Sequence, residues 1–166
     1  MKHRIRTGFT LVELMISITV LGIIAALAVP LAGDSDVLRL DAASRLLTSD
    51  LEHTQILAVT HPQDEYCLVV HTDGLGWHIA LTSDPETPVL ETITNDPLSV
   101  RVGEGRGAPA IGVSLTTNAS NNMIAFDPNG GLTDFTLETE ITLNIGNSEE
   151  ILSIAVSTGS ISYLEN

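Results

Sequence analysis

The chain has 166 residues, with 7 Lys and Arg against 21 Asp and Glu, a formal net charge of −14. Lys2, Arg4 and Arg6 supply three of those cations, so residues beyond Thr7 carry four arginines against all 21 acids, −17 on side chains. That balance removes the counterion-release term on which nucleic-acid binding depends and disfavours lying on anionic lipid, which leaves a solvated acidic exterior as its plain meaning. The single cysteine, Cys67, excludes an intramolecular disulfide, and its setting in Tyr66-Cys67-Leu68-Val69-Val70 reads as a small buried hydrophobe.

The N-terminus is basic as far as Arg6, and from Leu14 to Ala32 no charge occurs. At 1.5 Å per residue that run spans roughly 28 Å, the thickness of a bilayer's hydrocarbon core, so one transmembrane helix is expected. The positive-inside bias keeps residues 1–8 in the cytoplasm and sends the rest outward. Glu13 stands at the entrance to the run, where a plain anchor has no use for a carboxylate. A secretory signal peptide cut after Ala26-Leu27-Ala28 is the competing reading, but the apolar core is too long for one. An inert anchor leaves Gly8 and Glu13 without a purpose.

Gly8-Phe9-Thr10-Leu11-Val12-Glu13-Leu14, followed by the apolar run and Pro30, resembles the N-terminus of a type IV prepilin or type II secretion pseudopilin. The resemblance implies cleavage between Gly8 and Phe9 by a membrane-embedded prepilin peptidase and methylation of the new amine of Phe9. It also implies that Glu13 neutralises that amine on a neighbouring subunit and so sets axial register. A buried carboxylate and a buried ammonium each lack a partner alone, and pairing makes burial tolerable. Gly22 and Pro30 are the expected weak points of the helix, with a kink at Pro30.

Beyond Gly33 the pattern becomes amphipathic. From Val37 to Thr60, Leu40, Ala43, Leu47, Leu51, Thr54 and Ala58 recur at three- and four-residue steps, which predicts a helix with one apolar stripe. Asp41, Arg45, Thr48, Glu52 and Gln55 fall opposite, Asp41 and Arg45 at i,i+4. His61-Pro62 ends the helix.

Strands are expected after Pro62. Tyr66–Thr72 and Trp77–Thr82 flank Asp73-Gly74-Leu75-Gly76, a hairpin signal. Pairing Thr72 with Trp77 sets Leu68, Val70, Trp77, Ile79 and Leu81 on one face and Cys67, Val69, His71, His78 and Ala80 on the other. Further strands are predicted at Val89–Ile93, Leu98–Val102, Ile111–Leu115, Met123–Phe126, Phe135–Glu138, Ile141–Ile145, Ile151–Val156 and Ser160–Leu164. Ser83–Pro97, with three prolines, reads as loop with at most an edge strand. Within this region Ile124-Ala125-Phe126-Asp127-Pro128-Asn129-Gly130-Gly131 and Ile154–Ile161 resemble the "F-x-P-x-G" turn and closing hairpin of the GspH/FimT group of minor pseudopilins and minor pilins. Gln55 departs from that group, where an arginine is common.

Catalytic signatures are absent from the sequence: no Gly-x-Ser-x-Gly, no HExxH and no paired-cysteine motif. Gly103-Glu104-Gly105-Arg106-Gly107 resembles a phosphate loop but lacks its Gly-Lys-Ser/Thr ending. Asp127–Gly131 lacks the alternating acids of a calcium loop and reads as a turn. His71 and His78 face each other across the hairpin, two ligands where a structural metal needs four, and read as an exposed cross-strand pair. Asn118-Ala119-Ser120 is a formal glycosylation sequon, which carries little weight in the bacterial type of protein that the resemblance implies.

The expectation is therefore an α+β protein. Its parts are a leader (1–8), a transmembrane assembly helix (9–32), an amphipathic helix continuing the stem (33–62) and a β-rich antiparallel head (63–166). The resemblance implies a structural, non-enzymatic subunit without cofactor or metal, held in the bacterial inner membrane with its head in the periplasm. Its implied partners are the prepilin peptidase, other pseudopilins or pilins, an inner-membrane assembly platform and, before assembly, the bilayer. Nucleic acid is not expected among them.

Overall fold

A computed structural model describes residues 10–28, 35–134, 136 and 138–164. The chain divides into two compact units, Met1–Ser35 and Asp36–Asn166. In the first, helix α1 spans Leu11–Ala28. Its 18 residues make about 27 Å at 1.5 Å rise. Among the described residues no helix is long and apolar enough to cross a membrane. The remainder of the expected span, residues 29–32, lies outside the described residues.

In the second unit, helix α2 (Ser35–Thr60) begins two residues earlier than its sequence pattern predicts. Leu40, Ala43, Leu47, Leu51, Thr54 and Ala58, the predicted stripe, are all buried. Opposite them the Arg45 Nε donates to Asp41 Oδ1 at 2.8 Å, the expected i,i+4 pair.

Two antiparallel sheets follow. The first holds β1 (Tyr66–Val70), β2 (Gly76–Leu81), β3 (Asp84–Pro88) and β6 (Met123–Ala125) in the order β3-β2-β1-β6, with β4 (Ser99–Arg101) also on β2. The second runs β5 (Ser114–Thr117), β7 (Thr139–Ile145), β8 (Ser148–Ile154) and β9 (Ile161–Leu164) in the order β5-β7-β8-β9. One apolar core joins the α2 stripe to both sheets through Leu68, Val70, Trp77, Ile124, Leu143 and Leu152.

The hairpin register differs from the expected one. Trp77 pairs with Val70, not Thr72. A slip of two residues preserves the side-chain alternation, so Leu68, Val70, Trp77 and Ile79 still share a buried face. The cause lies in the turn: Gly74 N–H closes on His71 O and His71 N–H on Gly76 O, which lengthens the loop to five residues.

Two predicted strands are not formed. Val89–Ile93 enters a tight turn after Leu90, which makes a lone bridge to Pro97. The strand in that region is β3, an edge strand with Pro85 and Pro88, where a missing N–H is tolerated. Thr136 and Glu138 lie outside any strand, and Thr136 N–H and hydroxyl instead fold onto Asp134 Oδ1. Phe135 and Leu137, the rest of that predicted strand, lie outside the described residues.

Candidate functional site

At the start of α1 a capping box forms. Thr10 precedes the helix and its hydroxyl accepts the Glu13 N–H at 3.2 Å. Glu13 returns the contact, its Oε2 accepting the Thr10 N–H and hydroxyl at 3.1 Å each. The carboxylate therefore lies at the N-terminal, positive end of the helix dipole. The sequence reading gave Glu13 a role between subunits and missed this local one, although Thr-x-x-Glu before an apolar run is a standard helix-start pattern.

Along the rest of α1 the polar cost is contained. Ser17 Oγ donates to Glu13 O at 2.8 Å and Thr19 Oγ1 to Met15 O at 2.7 Å, so both hydroxyls are satisfied within the helix. Leu11, Leu14, Ile16, Ile18, Leu21 and Ile24 are all exposed, which covers every side of the helix with apolar surface. Helices of that kind are stable only when buried in protein or lipid. Gly22 sits inside α1, and beyond its chain neighbours and the helix's own backbone no atom of the described residues lies within 4 Å of where a Cβ would stand. Gly8, Phe9 and Pro30 lie outside the described residues.

In the head two polar clusters, around Asp50 and Gln55, were not foreseen. Asp50, 6% exposed on the apolar side of α2, accepts Trp77 Nε1–H at 2.9 Å and Arg106 Nη2 at 2.8 Å, one on each carboxylate oxygen. Gln55 donates from Nε2 to Gly130 O at 2.6 Å and Thr158 O at 3.0 Å, tying the Asp127–Gly131 turn to the closing hairpin. In that turn Asp127 Oδ1 accepts Asn129 N–H at 2.8 Å and Gly131 N–H at 3.0 Å, work that the turn alone requires of an aspartate.

Where an exposed histidine pair was expected, His78 is buried and His71 half-buried. His71 Nε2 and His78 Nδ1 are 3.0 Å apart, and His78 Nε2 lies 2.8 Å from Pro85 O. A carbonyl only accepts, so His78 carries its proton on Nε2 and receives the His71 Nε2–H on Nδ1. Burial pushes the His71 pKa below the usual imidazole value, with His78 and Arg101 adding to the effect and Asp73 opposing it. Among the described residues no three His, Cys, Asp or Glu side chains are placed to hold a metal. The Cys67 thiol, pushed up to about 11 by burial, stays protonated.

Residues 3–29 match the prokaryotic N-terminal methylation motif. Among curated proteins none matches the sequence. Two kinds of solved structure share the fold. The type IV minor pilin FimU of Pseudomonas aeruginosa, in two crystal forms, is 19% identical with TM-score 0.52. The match covers 76% of this chain and 93% or 88% of FimU. The minor pseudopilin EpsH of the type 2 secretion system of Vibrio cholerae is 8% identical, with TM-score 0.53, over 76% of this chain and 96% of EpsH. The methylation motif thus takes in the whole of α1, and the helix followed by an antiparallel head is a pilin-like α+β fold shared with a minor pilin and a minor pseudopilin.

Proposed function

We propose that the chain is a minor pseudopilin, a structural subunit of a type II secretion pseudopilus. Prepilin peptidase cuts between Gly8 and Phe9, the Phe9 amine is methylated, and α1 holds the subunit in the bacterial inner membrane with its head periplasmic until assembly. In the fibre α1 packs against the helices of other pseudopilins, the inner-membrane platform drives insertion, and Glu13 pairs with a neighbour's N-terminal amine. Gly22 and Pro30 are where the helix bends to fit. No catalytic step and no cofactor enters this reading.

The observation that carries it is Glu13 itself. The carboxylate is fixed by Thr10 at the N-terminal end of a helix apolar on every side. Buried among such helices it needs a cation, and a freed amine at residue 9 of the next subunit is the cation that processing supplies. Mass spectrometry of the native protein tests this directly: the product begins at N-methylated Phe9. Gly8→Glu leaves the chain uncleaved and outside any fibre, and Glu13→Ala permits cleavage but abolishes incorporation. An intact N-terminus in the native protein, or normal incorporation of Glu13→Ala, overturns the reading.

The second reading is a minor type IV pilin serving pilus assembly or DNA uptake, favoured by the fold shared with FimU. The acid excess counts against the DNA arm. Duplex binding by the full chain at low salt, in a gel shift, would select it.

A further inference from the structure

The chain holds one Asn-Gly step, Asn129-Gly130. It sits at the tip of the Asp127–Gly131 turn, with Asn129 exposed and Gly130 buried. Gly130 N–H donates to Asp127 O at 3.0 Å, and Asp127 N–H to Gly131 O at 2.8 Å. Asp127 Oδ1 holds the Asn129 backbone N–H, whereas the Asn129 side-chain amide has no hydrogen-bond partner among the described residues. Beside it lies an open recess of about 340 Å³ lined by Ile56, Val59 and Thr60, which leaves the side chain room to rotate. Glycine at 130 has no Cβ to keep the Asn129 carboxamide away from its nitrogen. On its far side the turn has no slack. Gly130 O accepts Gln55 Nε2 at 2.6 Å, a Cβ on Gly159 would collide with that same oxygen, and Leu132 N–H donates to Val156 O at 2.8 Å.

We propose that Asn129 is a deamidation site, and that its conversion is a one-way release of the turn from α2 and the closing hairpin. The Gly130 nitrogen, its proton taken by solvent base, attacks Asn129 Cγ. A C–N bond forms, the bond from Cγ to Nδ2 breaks, and the amide leaves as ammonia, which closes a succinimide ring. Water then opens the ring at either carbonyl to give aspartate or isoaspartate. Water enters, ammonia leaves, and nothing is oxidised or reduced. Aspartate keeps the main chain as it was and adds a negative charge at an exposed position. Isoaspartate runs the main chain through Cβ, which inserts an atom ahead of Gly130 and withdraws Gly130 O from Gln55. While the Gly130 N–H is bonded to Asp127 O its nitrogen is occupied, so attack waits on local opening of the turn. Gln55, tied to Gly130 O and Thr158 O, sets how often the turn opens. The site lies on the head and does not depend on processing of the N-terminus.

The test incubates the full chain in detergent micelles at pH 8.5 and follows each asparagine by tandem mass spectrometry of its peptides. Asn129 is expected to convert ahead of Asn147, which is exposed in the β7–β8 turn but is followed by Ser148. Gln55→Ala should speed conversion at Asn129 about fivefold or more, because a turn that has lost its ties opens that much more often. Conversion at Asn147, which Gln55 does not touch, should keep its rate and so shows that the variant remains folded. Gln55→Arg, with donors for both carbonyls, should convert near the parent's rate. The isoaspartyl product should unfold at lower urea than the parent, by Trp77 fluorescence, and Asn129→Asp close to it. Asn129 intact when Asn147 has converted, equal rates in Gln55→Ala and parent, equal acceleration of both asparagines, or an isoaspartyl form as stable as the parent would each overturn the proposal.

Discussion

Gln55 donates from one amide nitrogen to two carbonyls, Gly130 and Thr158, 75 and 103 residues further along the chain. Gly130 (φ 87°) and Gly159 (φ 62°) occupy the left-handed region, and a Cβ on Gly159 would collide with Gly130 O. Gln55→Ala should therefore cost about 1–2 kcal/mol, two neutral hydrogen bonds of which water replaces a part. Gln55→Arg should stay within about 1 kcal/mol of the parent, because a guanidinium presents donors to both carbonyls. Gly159→Ala should cost more than Gln55→Ala, since strain adds to the collision. Urea unfolding followed by Trp77 fluorescence ranks the three. Asp50 behaves differently, because its loss orphans a buried indole N–H. Asp50→Ala should cost about 2–3 kcal/mol by the same measurement, and Asp50→Asn, which still accepts from Trp77, less. Gln55 stood out in the sequence only as a departure from a common arginine and Asp50 not at all, and the contacts of neither could be read there. Gln55 looks like one more polar residue on the outer side of α2, and Asp50 gains its meaning only when Trp77 and Arg106 fold onto it. Local periodicity reports which way a side chain points; it carries no record of partners 27 or 56 residues away.

At the scale of elements, α2 was the most legible part, because one stripe has to bury against the sheets and its 3.6-residue period repeats over the whole helix. The hairpin was legible in its faces and not in its register, since the alternation survives a two-residue slip and only the loop's hydrogen bonds fix the pairing. Val89–Ile93 misled for the converse reason: it has β-branched composition, but the turn closed by Glu91 N–H on Asp96 O cuts its pairing short after a lone bridge at Leu90. At the N-terminus, the residue identities foretold α1, whereas the Thr10–Glu13 cap went unread behind the intersubunit role given to Glu13. The β2–β3 junction also yields a pH prediction. His71 is neutral in the fold and its pKa is lowered from 6.5 by burial. The unfolded chain therefore takes up that proton at higher pH than the folded one. The pair's stabilisation is complete above about pH 6.5 and is lost as pH falls from there toward the lowered folded value. The added proton falls on His71 Nδ1, the ring nitrogen not bonded to His78, and puts an imidazolium in a half-buried site near Arg101. The melting temperature should fall between pH 7.5 and pH 5.5, and His71→Gln should flatten that part of the profile.

The whole molecule, once the leader is gone, holds 17 more acids than arginines, and each of the four arginines already sits in an ion pair. Two effects of salt then oppose each other. Screening weakens the four pairs, of which Arg45–Asp41, Arg101–Asp73 and Arg39–Asp36 are exposed and contribute little to stability. Screening also relieves repulsion among the unbalanced carboxylates, which folding crowds together and the unfolded chain spreads apart. The Debye length shortens from about 30 Å at 0.01 M to about 8 Å at 0.15 M, so at low salt each acid feels most of the others across a head of this size and at high salt only its neighbours. Repulsions outnumber attractions by a wide margin, and the attractions are short contacts that screening reduces least. The melting temperature at pH 7.5 should therefore rise as NaCl goes from 0.01 to 0.15 M and level off beyond it. Glu149→Lys with Glu138→Lys, both on exposed positions, should raise the low-salt value and shrink the salt effect. A melting temperature that falls with added salt would mean that the four arginine pairs, rather than the bulk of the acids, govern the stability of the head.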